Sequence, residues 1–208
     1  MTPDDLATDI LTRADPAQRF IIAIAGPPGS GKSTLADDLV QALRKARPDL
    51  GAKVVPMDGY HYDDAVLIAR GLRQRKGAPE TFDASGFAHM MHRLRQEDEV
   101  AIPIFDRSLE LSRAAGDVIS ATDRILVVEG NYLLLDQAPW DGIRYDMTLW
   151  IDVPEEELRR RLLDRWARHG KTPSEAAAWI EGNDLPNIRA TRAGSRPAER
   201  VITWQPQA

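Results

Sequence analysis

Apolar residues recur along this chain in two alternating ways, as short continuous runs and as stripes at helical spacing. The first stripe lies in residues 4–13, where Leu6, Ile10 and Leu11 share one side and predict a short amphipathic leading helix. The run Phe20–Ala25 predicts a buried strand. From about Lys32 to Arg47 the spacing of Leu35, Leu39, Val40 and Leu43 is helical again, until Pro48 stops it. Lys53–Met57 predicts a second short strand that ends at Asp58. The polar stretch Arg70–Glu80 holds two glycines and a proline and predicts a loop. Helical spacing returns over Asp83–Gln96, with Phe87, Met90, Met91 and Leu94 apolar. Val100–Phe105, Arg124–Val128 and Met147–Val153 predict strands, the last two apolar enough for a sheet covered on both faces. Pro154 opens a long helix at its first turn, Ser174–Glu181 predicts another, and Arg200–Trp204 predicts a closing strand. Strands separated by helices predict an α/β fold, a three-layer, doubly wound parallel sheet with helices on both faces. Ligands of such sheets sit at the carboxyl ends of the strands.

The strongest chemistry stands between the first strand and the helix after it. Gly26-Pro27-Pro28-Gly29-Ser30-Gly31-Lys32-Ser33-Thr34 is a complete Walker A motif, and the flanking strand and helix give it meaning. Glycines at 26, 29 and 31 allow backbone conformations closed to other residues, so that N–H groups of residues 29–34, Ser30 and Thr34 included, can approach phosphate oxygens. The helix opening at Lys32 adds the positive end of its dipole. Lys32, expected to face solvent or ligand, reaches for the β- and γ-phosphates, and the Ser33 hydroxyl for Mg²⁺.

Two carboxylates end neighbouring runs. Asp58 opens Met57-Asp58-Gly59-Tyr60-His61, where it could take the proton of an attacking hydroxyl or merely begin an Asp-Gly turn. Glu129 ends Ile125-Leu126-Val127-Val128 and precedes Gly130, the layout of a Walker B acid that holds Mg²⁺. His61 could contact substrate or simply pack. Arg159, Arg160, Arg161, Arg165 and Arg168 crowd the helix after Pro154. Arg161, Arg165 and Arg168 share one face, which is either a solvated face paired with Glu155–Glu157 or a lid, about 154–182, that clamps transferring phosphate.

Composition narrows the classes. The 208 residues, 43% hydrophobic and 28% charged, suit one globular domain over 1–208. No apolar run approaches the roughly 18 residues of a membrane span. Residues 1–19 lack the basic start and apolar centre of an export signal, so the cytoplasm is the expected compartment. The absence of cysteine excludes disulfides and thiolate chemistry. A net charge of −5 gives no support to nucleic-acid binding.

Together the P-loop, Met57–His61 and Lys76-Gly77-Ala78-Pro79-Glu80-Thr81-Phe82-Asp83 resemble the phosphoribulokinase, uridine kinase and bacterial pantothenate kinase family. Val128-Glu129-Gly130 is similar to that family's acid-Gly turn, and Pro103-Ile104-Phe105-Asp106 to the Pro-x-Tyr-Asp segment of uridine kinases. The resemblance runs from Phe20 to Thr203 and looks closest to a short bacterial branch known as nucleoside/nucleotide or fructose transport system kinases. It implies a cytoplasmic kinase that uses ATP and Mg²⁺, with a small-molecule acceptor that is a fructose-type sugar or nucleoside, or in the alternative pantothenate, and a homodimer as a candidate assembly. It implies catalytic roles for Lys32, Asp58, Arg161 and Arg165. Residues 183–203 resemble the closing segment near the nucleotide base, which implies nucleotide contact for Asn187. Acceptor contacts are implied for Asp58, His61 and Asp106, and acceptor contact or loop positioning for Lys76 and Asp83, although Asp83 is also well placed to cap the helix after it. The chain departs from uridine kinases after Asp106, reading Arg107-Ser108-Leu109-Glu110 where they carry a His-x-Arg element. A P-loop switch or ATPase with water as acceptor is the rival from another class.

Overall fold

The computed structural model describes residues 1–205. Five parallel strands, β1 (Phe20–Ala25), β2 (Gly51–Pro56), β5 (Asp123–Gly130), β6 (Met147–Asp152) and β7 (Arg200–Thr203), form one sheet in the order β2-β5-β1-β6-β7. Alternation along the central strands divides the core in two. Ile22, Ile24, Ile125 and Val127 face one side with α1 (Pro3–Arg13), α2 (Lys32–Ala46) and α5 (Glu155–Arg168), which add Leu6, Leu39, Leu43, Leu158 and Leu162. Ile21, Ala23, Leu126 and Val128 face the other side, against Phe87, Met90 and Met91 of α4 (Ala84–Gln96).

The predicted strand at 100–105 does not join this sheet. As β3 (Val100–Asp106) it pairs antiparallel with β4 (Leu111–Ile119) in a separate two-stranded sheet. Pro103 cannot donate to a central ladder, and the register shifts between Ile102 and Ile104. The hairpin turns through Glu110 in the left-handed region at φ 55°. Its apolar end, Val100 and Ile102, packs on the second core half, while its tip reaches the carboxyl edge of the main sheet.

Two short helices were not apparent from the pattern of apolar residues. In α3 (Asp64–Ala69) only Leu67 is buried, and the predicted loop 70–80 holds single 3₁₀ turns. The predicted helix at 174–181 is α6 (Pro173–Trp179), opened by a Thr172/Glu175 capping box. It runs through a π turn at Ile180–Asp184 into α7 (Leu185–Gly194). The Leu185 N–H reaches Ile180 O, five residues back, so Ile180, Leu185 and Ile188 all meet the core while Asn183, Asp184 and Asn187 face a cavity.

Candidate active site

Between β1 and α2 the chain folds as the glycines require. Gly29 and Gly31 take φ of 80° and 97°, and a Cβ on Gly26 would stand 2.9 Å from Ile151 O. Helix α2 starts without a side-chain cap, which leaves its first N–H groups available to an anion. Ser30 Oγ is buried there without a partner. Lys32 does not face solvent: it is 7% exposed, its Nζ donates to Pro27 O at 3.0 Å, and burial pulls its pKa down to about 8. It nonetheless lines a cavity of about 350 Å³ with Gly29, Gly31, Ser33, Thr34 and Glu129, so its open side is the ligand side.

Because β5 lies between β1 and β2, Glu129 stands level with Ile24 and Pro56, beside the P-loop and behind Asp58. It is 7% exposed, with the Ser33 hydroxyl close to its carboxylate. Burial, and then the charge of Asp58, push its pKa up to about 7, while Lys32 and Ser33 partly offset this. The folded value lies above the ordinary 4.5, so between the two the folded chain holds the proton more tightly than the unfolded one. Stability of the nucleotide-free protein therefore rises as pH falls through 7 toward 4.5. Glu129→Gln cannot ionise, so it should be the more stable protein at pH 8, by about 1–3 kcal/mol, and lose that lead as the pH is lowered. Thermal unfolding at pH 8 and pH 5.5 checks this; an equal gain at both values would mean that Glu129 is not held protonated by burial.

Asp58 sits in the 3₁₀ turn Met57–Tyr60 at the end of β2. The turn is braced by the hairpin. Ser112 Oγ donates to Gly59 O at 2.7 Å, and Pro103 O comes so near Gly59 that a Cβ there would lie 2.3 Å away. The Asp58 carboxylate pairs with Arg107 from the hairpin tip and stands 4.0 Å from His61 Nδ1. Burial alone would raise its pKa, but His61, Arg107, Lys32 and Arg165 together hold it below the ordinary carboxylate range.

A second cavity, of about 470 Å³, opens beyond Asp58. It shares Pro28, Asp58, Arg107, Asn131 and Arg165 with the first, so these residues form the wall between the two. His61 lines it, packed 3.8 Å from the Phe82 ring with Nδ1 3.0 Å from Asp58 O, and burial lowers its pKa. Lys76 lines it too, donating to Asp64 at 2.8 Å and to Glu110 O at 2.9 Å. Asp83 lies outside the cavity lining and caps α4, accepting from Gly86 N at 2.9 Å. Asp106 is likewise occupied within the hairpin, accepting from Ser108 N at 3.0 Å and Oγ at 2.6 Å, with Arg113 at 3.4 Å. Asn187, expected at the nucleotide, lines the second cavity beside Asn183, whose amide donates to Lys76 O at 2.9 Å. The π turn sets this direction.

The arginines of α5 divide by face. Arg161, Arg165 and Arg168 line the P-loop cavity, and Arg161 Nη1 donates to Ser30 O at 3.1 Å. Arg160 pairs with Glu157 at 2.8 Å and Asp164 at 3.0 Å, and Arg159 with Glu181, as a solvated face would. Arg165 has no carboxylate within 4.0 Å among the described residues, and burial followed by the charge of Arg107 lowers its pKa. Sequence reading missed Arg107 and Asn131 as site residues. The substitution of Arg107 for the His-x-Arg element was the available signal for the former; nothing local marked the latter.

Known proteins resemble this chain in sequence and fold. A family model described as an AAA domain matches residues 22–182. The Escherichia coli protein YggC, uncharacterized, is 35% identical over 197 residues, covering 92% of this chain and 81% of its own. "Putative uridine kinase C227.14" of Schizosaccharomyces pombe is 35% identical over 184 residues, covering 82% and 77%. A crystal structure described as a "putative fructose transport system kinase" from Silicibacter sp. TM1040 is 42% identical and superposes with a TM-score of 0.91, covering 99% of this chain and 100% of that one. The chain belongs to the P-loop kinase family of phosphoribulokinases, uridine kinases and bacterial pantothenate kinases.

Proposed function

We propose that the protein transfers the γ-phosphoryl group of ATP, with Mg²⁺, to a hydroxyl of a small metabolite, a sugar or a nucleoside. The observation that carries this reading is the wall of Asp58, Arg107 and Arg165 common to the P-loop cavity and the cavity beyond it. A phosphoryl group held on one side would meet a hydroxyl held on the other at a carboxylate and two guanidiniums.

The cradle fits a triphosphate. It offers uncapped helix N–H groups, the orphaned Ser30 hydroxyl, the Lys32 ammonium and three arginines on one face of α5. Ser33 and Glu129 supply a hydroxyl and a carboxylate, hard oxygen donors that would suit Mg²⁺. When bound, the metal would offset the negative charge of the phosphates as it shifts during transfer.

Asp58, ionised at neutral pH, would orient the acceptor hydroxyl and take its proton. The acceptor oxygen then forms its bond to the γ-phosphorus as the bond from that phosphorus to the β-bridging oxygen breaks. ADP leaves with the electron pair, and the phosphate monoester remains in the outer cavity. Lys32 would hold the β- and γ-oxygens, while Arg161 and Arg165 close over them from residues 154–182, acting as a lid. Among the described residues no helix is long and apolar enough to cross a membrane, which accords with a small metabolite met in the cytoplasm.

ADP release from ATP, measured with sugars, nucleosides and pantothenate each in turn, tests the reading. Release should depend on one of these acceptors. Hydrolysis at the same rate with every compound or none would make water the acceptor and overturn it.

A further inference from the structure

We infer that Arg107 is a catalytic residue, held on Asp58 in the resting site and transferred to the migrating phosphoryl group when both cavities are filled. The inference rests on the kinase reading given above. Four observations lead to it.

Arg107 is the only one of the boundary cations that comes from the hairpin; Arg165 comes from α5, on the opposite side. It lines both cavities, so its guanidinium can reach the plane through which the phosphorus must pass. Its present partner is Asp58, the very carboxylate that must be free to receive a hydroxyl proton. And its side chain is 47% exposed, cantilevered from a turn whose own geometry is fixed by Asp106, which accepts from Ser108 and Leu109. The turn is thus braced by its own hydrogen bonds, while the side chain beyond it stands half exposed. Its guanidinium carbon also lies 5.6 Å from the centre of the Phe105 ring, a cation–π contact made alongside the Asp58 pair.

The exchange is favourable on simple electrostatic grounds. Asp58 is the carboxylate that Arg107 pairs with in the structure, and a paired carboxylate cannot accept a hydroxyl proton efficiently. Bound phosphate offers three equatorial oxygens and more charge, in a geometry that suits the planar fork of arginine. As the phosphoryl group loosens from ADP its charge spreads over those oxygens, and a guanidinium arriving from the hairpin would complete, with Arg165 from α5, a clamp from two sides. The acceptor hydroxyl takes the vacated place on Asp58. One movement would thus stabilise the transferring group and release the base, and no new bond or co-reactant is required.

The test compares Arg107→Ala and Arg107→Lys with the wild-type chain, using the best acceptor from the panel above. Arg107→Ala should lower kcat by about 10²–10³-fold with little change in the KM for ATP, since the guanidinium acts on the transition state. Lysine should recover only part of the rate, because it offers a point charge without the fork. Guanidinium chloride added at millimolar concentration should partly restore turnover to the alanine variant and not to the wild type. If Arg107→Ala keeps the wild-type kcat and raises only the acceptor KM, the residue holds the acceptor and the inference fails. It fails equally if kcat falls with a lower melting temperature and guanidinium restores nothing, since Arg107 would then be a structural prop. Wild-type protein that shows no acceptor-dependent transfer would overturn the kinase reading itself, a result distinct from either of these.

Discussion

Lys32→Ala should cut acceptor-dependent ADP release by at least about 10²–10³-fold, the scale on which a charge aimed at the transferring phosphoryl group is felt. The structure changes the grounds of this expectation. Lys32 is not a surface side chain that can be trimmed without notice; it is 7% exposed and anchored to Pro27 O. Lys32→Met is therefore the better-matched partner, keeping the aliphatic volume and removing the charge. Burial places the folded pKa near 8, below the ordinary 10.5, so the wild-type ammonium sits in the fold at a cost below about pH 8. Methionine removes that cost, and the melting temperature of the nucleotide-free variant should hold. Steady-state ADP release alongside circular dichroism gives both answers. A folded Lys32→Met protein with near-normal turnover would mean that the phosphates lie elsewhere.

Asp58→Asn should slow the chemical step by about 10²–10⁴-fold, the usual contribution of a positioned general base. The amide keeps the size and much of the hydrogen bonding of the carboxylate but cannot accept the proton. ATP affinity should change little, because Asp58 stands in the wall between the cavities and pairs with Arg107 rather than with any P-loop group. A nucleotide switch would behave otherwise, losing some hydrolysis or affinity with no dependence on an acceptor. The variant also loses the ionic half of the Arg107 pair, so its residual rate is best read in single turnovers, where binding and chemistry separate. An unchanged transfer rate would remove Asp58 from the chemistry.

The parts of this molecule that were legible in the sequence are those decided locally. Phe20–Ala25, the glycines at 26, 29 and 31 and the stripe of Leu35, Leu39 and Leu43 lie within 24 consecutive positions, and backbone sterics and burial fix them without help from elsewhere. Asp58 and Glu129 were readable for the same reason, each being the acid at the end of an apolar run. The hairpin was not. Residues 113–116 of β4 are exposed, and that strand exists because β3 offers it a ladder, which no period of apolar residues announces. Arg107 lies 49 positions from its partner Asp58, so its charge is placed by the packing of the hairpin and not by any neighbour in the chain. Asp83 and Asp106 show the converse. Their sequence context suggested contacts with a ligand, while nearby N–H groups three residues or fewer away take up their oxygens.

The π turn at Ile180–Asp184 bears on how relatives of this chain should be compared. An inserted residue advances everything beyond it by roughly 100° about the helix axis. Projected on a regular helical wheel, Asp184 and Asn187 fall beneath Ile180 and would pass for members of a hydrophobic seam. The fold instead spends one residue as a spacer and brings Leu185 to that seam, turning the two polar side chains outward to the cavity. A relative lacking the spacer could match this chain letter for letter from residue 185 onward and still present a different set of groups to its ligand. Differences in acceptor choice within the family can thus reside in the phase of a helix as much as in its residues, and an alignment scored by identity would pass over them.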